Sequence, residues 1–192
     1  METPRNVNPM RGNCKYFDVI FNEIIKHFGF PETIVELGCG SGKNLAKFSC
    51  VKLAIGIDPL LENILKAQRI KGNFQFILGD HEYLKHFETN QFEVGFTCSV
   101  LDHIEDFRSA LNEMCRICQN VILFEPIIKG QSRQAKQCET NCWKTSWYHD
   151  YSSWLVKVGL EFSCKSYLLY SKNSGPYFHQ IVIDSKNYLG QE

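Results

Sequence analysis

Residues 36–42 read Glu-Leu-Gly-Cys-Gly-Ser-Gly directly after the apolar Thr33-Ile34-Val35, and Asp58 closes the next apolar run 22 residues beyond Glu36. A strand that enters a glycine-rich turn, with a carboxylate about twenty residues further on, is the arrangement of a nucleoside-cofactor site. Glycine spacing decides which cofactor. A dinucleotide fingerprint, counted from Gly38, needs glycine at position 43, where Lys43 stands. A P-loop ending at Gly42-Lys43 needs glycine at 37 and a hydroxyl residue at 44, where Leu37 and Asn44 stand. Both fail, and what remains is Glu-x-Gly-x-Gly-x-Gly. Further along, Asp80 follows the apolar run 74–78, and Asp102 and His103 follow the run 92–98. Histidine titrates near neutral pH, so His103, like Asp102, is a candidate general base for a hydroxyl or amine acceptor. The bland alternative is that both shape a loop.

The elements that must position these residues are legible in the apolar spacing. Phe17, Ile20, Phe21, Ile24, Ile25 and Phe28 follow helical periodicity, and Gly29 and Pro31 end that helix. Strands are expected at 34–37, 53–57, 74–78, 92–98 and 121–125. Helices are expected at 43–48, from Pro59 to about 70, at 106–117 and at 151–158. Runs 162–170 and 177–184 flank a polar Ser-Lys-Asn-Ser-Gly-Pro stretch and read as a hairpin. Strands alternating with helices imply an α/β, doubly wound, mostly parallel sheet with an antiparallel closing strand. The polar segment 1–14 reads as a flexible arm, and 15–192 as one domain.

With the Glu36–Gly42 turn, Asp58, Asp80, the Val100-Leu101-Asp102-His103-Ile104 segment and the closing hairpin, residues 15–185 resemble the class I S-adenosylmethionine-dependent methyltransferases, in particular the small-molecule (type 11 or 12) group. The resemblance implies a seven-stranded sheet and S-adenosylmethionine as cofactor. Gly38, Cys39, Gly40 and Gly42 would border its methionyl part and ribose, and Glu36 would hold the turn's amides or meet the ammonium through water. Asp58 would take the ribose hydroxyls, because one carboxylate can accept two donors, and Pro59 and Leu60 would pack on adenine. Asp80 would accept from the adenine amino group, His81 would flank the base, and Cys98 and Ser99 would pass the methionyl moiety. Asp58 and Asp80 could equally cap the helices that follow them. Asp102 and His103 would border the transferred methyl group, though alignment of donor and acceptor alone supplies much of the acceleration. Glu93 departs from the family's usual aspartate.

The acceptor is less determined. The segment after the fourth strand, Ser99-Val100-Leu101-Asp102, contains no proline, and Cys98 follows Thr97, which argues against the exocyclic-amine and cytosine-C5 nucleic-acid methyltransferases. Zero formal charge points the same way, and nothing resembles a membrane span or a signal peptide. A long segment at 127–150 carries Lys129, Arg133, Lys136 and Lys144 among Trp143, Trp147, Tyr148 and His149, and such segments often cover a pocket. With Tyr16, those four aromatic residues are expected to meet a small, anionic or sugar-nucleotide-like acceptor, methylated on O or N. Packing of Trp143 and Trp147 into the core is the alternative. Nine cysteines place the chain in a reducing cytoplasm. Cys115, Cys118, Cys138 and Cys142 superficially match zinc spacing, but buried thiols account for the first pair, so no metal is expected. Two other roles share the glycine turn: a non-catalytic cofactor-binding subunit that activates or scaffolds a partner, and an aminopropyl transferase.

Overall fold

The structure, a computed structural model, describes residues 8–9, 16–126, 133–134, 147–168, 177–186 and 188. Seven strands form the sheet: β1 (Thr33–Leu37), β2 (Leu53–Asp58), β3 (Phe74–Leu78), β4 (Phe92–Cys98), β5 (Cys118–Pro126), β6 (Phe162–Leu168) and β7 (Tyr177–Asp184). Their order is β6-β7-β5-β4-β1-β2-β3, and Asn8–Pro9 adds a two-residue eighth strand beside β6. β1 to β5 run parallel, whereas β7 is antiparallel to both β5 and β6. This is the expected class I methyltransferase fold. No helix among the described residues is long and apolar enough to cross a membrane.

Successive residues of a strand face opposite sides, so each central strand feeds two cores. On one face Ile34, Ala54, Phe96 and Ile122 meet Ile20 and Ile24 of α1 (Tyr16–Phe28) and Ile64 of α2 (Leu61–Ala67). On the other, Val35, Ile55 and Leu123 meet Phe107, Leu111 and Met114 of α3 (Phe107–Ile117) and Leu155 of α4 (Tyr151–Lys157). Burying each such side chain stabilises the fold by roughly 1.5–3 kcal/mol. Gly29, at φ 74°, ends α1 by donating its amide to Ile25 O at 2.9 Å.

Several expected elements are altered. The helix at 43–48 is a short 3-10 segment, Leu45–Phe48. Its first part is taken by the glycine turn, because the Asn44 side chain is tied back to Glu36, and the chain must reach β2 soon after Val51. The helix from Pro59 to 70 is shorter, Leu61–Ala67: the Asp58 carboxylate captures the Leu60 amide and delays the first turn, and a tighter turn from Ala67 O to Ile70 N ends it. β5 starts at Cys118, not 121, because α3 runs straight into the strand and Cys118 pairs with Phe92. The segment that Asp80 caps, His81–His86, is a 3-10 helix, and the small ladder of Arg133–Gln134 with Trp147–Tyr148 was not expected.

Candidate active site

The carboxyl ends of β1 to β4 lie side by side, and the turns leaving them enclose a cavity of about 560 Å³. The glycine turn forms one wall. Gly38 and Cys39 both donate to Ile57 O, at 2.7 and 2.9 Å, which folds the turn over the end of β2. Gly38 sits at φ 71°, a conformation L side chains rarely adopt, and a Cβ there would overlap the Cγ2 methyl of Val100. Val100 therefore seats directly on the glycine turn, joining the first wall to the loop after β4.

Asp58 forms the second wall. It is almost fully buried, and three donors hold it: the Gly40 amide at 2.8 Å on one oxygen, the Leu60 amide and Asn63 Nδ2 at 3.0 Å on the other. Asp80 caps the segment after β3 by accepting from the Glu82 amide at 2.9 Å, and it also faces the cavity. The cap thus leaves the Asp80 side chain at the cavity edge. Pro59 and His81 border the same space, and His81 Nε2 is 3.4 Å from Glu82. Gly40, Ser99 and His103 complete the expected residues that reach it.

Other expected residues lie elsewhere. Glu36 is fully buried, is not among the lining residues, and is bonded to the Asn44 side chain. Burial, reinforced by the nearby Asp58 charge, pushes its carboxyl up to about 8. Cys39 turns into the core: a Cβ on Gly56 would come within 2.8 Å of its sulfur, and burial raises its thiol strongly. Gly42 and Cys98 are also absent from the lining; Gly42 keeps a positive φ of 75°, and Cys98 packs against the α1-side core. Asp102 lies behind His103, its Oδ1 3.8 Å from His103 Nε2, and burial raises its carboxyl.

The acceptor-side expectations meet a similar division. Trp143, Lys129, Lys136, Lys144, Cys138 and Cys142 lie outside the described residues, and of Tyr16, Arg133 and Tyr148 only the backbone is described. Trp147 lies parallel to His149, their ring centroids 6.3 Å apart. His149 does not line the cavity. It is fully buried against Phe107 and Tyr151 and donates from Nε2 to Ile104 O at 2.9 Å. Burial lowers its pKa, which keeps the ring neutral. Cys115 and Cys118 are core thiols, and among the described residues no group of His, Cys, Asp or Glu has a metal-holding arrangement.

Sequence reasoning missed Asn63, Ile104 and Glu105, all of which line the cavity, and the buried Glu125 beneath it. Asn63 had a usable signal, since it lies one helical turn past an acid that needs a donor. Glu125 had another: a carboxylate at the end of an otherwise apolar strand, just before Pro126.

These features define what can bind. The described lining carries Asp58, Asp80 and Glu105, and neither lysine nor arginine. A pyrophosphate would find no countercharge in it, whereas hydroxyl and ammonium donors and a sulfonium cation would. Asp58, with a lone-pair site still unused, fits a ribose, so the cavity suits S-adenosylmethionine. A family model described as a methyltransferase domain matches residues 35–121. Three solved structures share the fold. One is the N-terminal domain of EvdMO1 with S-adenosylhomocysteine and D-fucose (14% identity, covering 90% of this chain and 84% of that one, TM-score 0.65). A second is magnesium protoporphyrin IX methyltransferase from Synechocystis PCC 6803 with bound S-adenosylmethionine (14%, 90% and 85%, TM-score 0.62). The third is a Burkholderia thailandensis 1,6-didemethyltoxoflavin-N1-methyltransferase with bound 1,6-didemethyltoxoflavin and S-adenosylhomocysteine (13%, 87% and 76%, TM-score 0.66). The matched span runs from β1 into β5 and so contains the glycine turn, Asp58, Asp80 and the loop after β4, and the activity it supports is that of a methyltransferase dependent on S-adenosylmethionine.

Proposed function

We propose that this methyltransferase transfers its methyl group to an oxygen or nitrogen of a small metabolite that enters over His103, Ile104 and Glu105. The observation that carries the reading is the division of the cavity: acids and glycines at the β1 to β3 ends, and His103 on the loop after β4. S-Adenosylmethionine supplies an electrophilic methyl group on a cationic sulfur. Asp58 would hold the ribose, Asp80 and His81 the adenine, and Gly38, Gly40 and Ser99 the methionyl part. His103 stands where an acceptor proton could be taken up, with Asp102 behind it.

An anionic or sugar-like acceptor is supported by the cations and aromatics of 127–150, and by the small molecules named for two of the similar structures, D-fucose and 1,6-didemethyltoxoflavin. The nine cysteines support a reducing, cytoplasmic setting. A purely scaffolding subunit is not favoured, because the cavity extends past the cofactor residues to His103 and Glu105. Incubation of the protein with isotopically labelled S-adenosylmethionine and metabolite extracts is expected to label a low-molecular-weight product. Label confined to macromolecules, or none with any extract, would sink the small-acceptor reading.

A further inference from the structure

The 99–104 loop supplies Ser99, Val100, His103 and Ile104 to the cavity, yet it has little regular structure of its own: a single 3-10 turn, Leu101–His103. Ser99 sits at φ 53°, a conformation that costs a non-glycine residue free energy unless the surroundings enforce it. Two buried side chains reach the loop from beneath. Glu125, at the end of β5, accepts the Val100 amide with both carboxylate oxygens, at 3.0 and 3.1 Å. His149, from the strand piece that follows the 127–146 segment, donates to Ile104 O at 2.9 Å. One grips the start of the loop and the other its end.

We propose that Glu125 and His149 are a pair of positioning residues that clamp the 99–104 loop against the glycine turn and so set the wall between methyl donor and acceptor. The proposal rests on the cavity being the S-adenosylmethionine site. Neither residue lines the cavity. Their influence passes through Val100, whose methyls occupy the space in front of Gly38, and through Ile104.

The surroundings of Glu125 suit a clamp better than a reacting acid. It is fully enclosed; Thr97 and the Val100 and Leu101 amides face it, along with Asp102 and Tyr151. Burial and the adjacent Asp102 push its carboxyl up to about 8. His149 is kept neutral by burial, and its Nε2 proton is committed to the Ile104 carbonyl.

Titration calorimetry with S-adenosylhomocysteine on four variants of the full chain tests the clamp. Glu125→Ala and His149→Ala remove the grips and are expected to weaken binding at least tenfold. Glu125→Gln keeps an acceptor for the Val100 amide, and His149→Gln can place a donor near Ile104 O, so both are expected within about threefold of the unaltered protein. Amide exchange across 99–104 is expected to quicken at least tenfold in the alanine proteins, with β1 to β3 still protected. Undiminished affinity in the alanine proteins, or uniform loss of protection through the fold, would overturn the clamp and leave only a structural role. If an alanine protein does not fold, the glutamine variants decide, and a tenfold loss in either overturns the proposal. Failure of the unaltered protein to bind would overturn the donor-site reading, and the clamp with it.

Discussion

The Asp58 carboxylate already accepts the Gly40 and Leu60 amides and the Asn63 side chain, which leaves about one of its four lone-pair sites for a ligand hydroxyl. Charge-assisted bonds of this kind are worth about 1.5–3 kcal/mol. Asp58→Asn retains the size and loses the charge, so affinity for S-adenosylhomocysteine is expected to fall by about tenfold or more, read by calorimetry. Unchanged affinity would remove Asp58 from the site. Glu36 makes a different prediction, about pH. Its carboxyl ionises near 4.5 in an unfolded chain and near 8 when buried. Between those values the folded state holds a proton that the unfolded state has released. Stability therefore falls as pH rises through that window and levels off above it. Glu36→Gln removes this contribution, so the loss of melting temperature from about pH 5 to 8 should shrink. A slope identical to that of the unaltered protein would mean that Glu36 is ionised in the fold. At this level the sequence was half legible. It picked out both acids as chemically active, but not that Asp58 borders the cavity while Glu36 is buried against Asn44.

Elements read more plainly. The strands at 74–78, 92–98 and 177–184 agree with their expected ranges, because short apolar runs between turn residues admit little else. Helix ends read less well. Asp58 and Asp80 each accept a backbone amide at the start of the segment that follows, and those segments begin late or tighten to 3-10. The contact between β4 and α3 depends on Gly95. A Cβ there would overlap the Cys118 sulfur and lie 2.8 Å from Met114 Cε. Gly95→Val is thus expected to destabilise the fold by about 1–3 kcal/mol through overpacking, seen as a lower urea midpoint. An unmoved midpoint would show that α3 shifts aside at no cost.

Across the chain as a unit, ligand binding and folding are linked. S-Adenosylhomocysteine at about a hundred times its dissociation constant stabilises the folded state by about 2.7 kcal/mol, which for a domain of this size raises the melting temperature by roughly 5–10 °C. Thermal scans with and without the ligand check this, and no rise would contradict binding to the native state. Thiol accessibility gives an independent test. Cys39, Cys115 and Cys118 are buried, whereas Cys50 and Cys164 are exposed. Of these five, only Cys50 and Cys164 should react quickly with Ellman's reagent in the native protein, and cysteine variants assign the signal.

What could be read without coordinates was local. Glycine spacing, the acid that follows it and the alternation of apolar runs act over a few tens of residues, and they sufficed for the cofactor class and the sheet's composition. The fold alone decided the side of the sheet on which each neighbour lands. It also decided which distant residues meet, because those contacts span 25 residues from Val100 to Glu125 and 45 from Ile104 to His149. His149, expected to meet the acceptor, is absent from the cavity lining and has its Nε2 on Ile104 O. Burial cannot be assigned to a polar side chain until the layers close around it, and Glu36, Glu125 and His149 all prove to be fully buried.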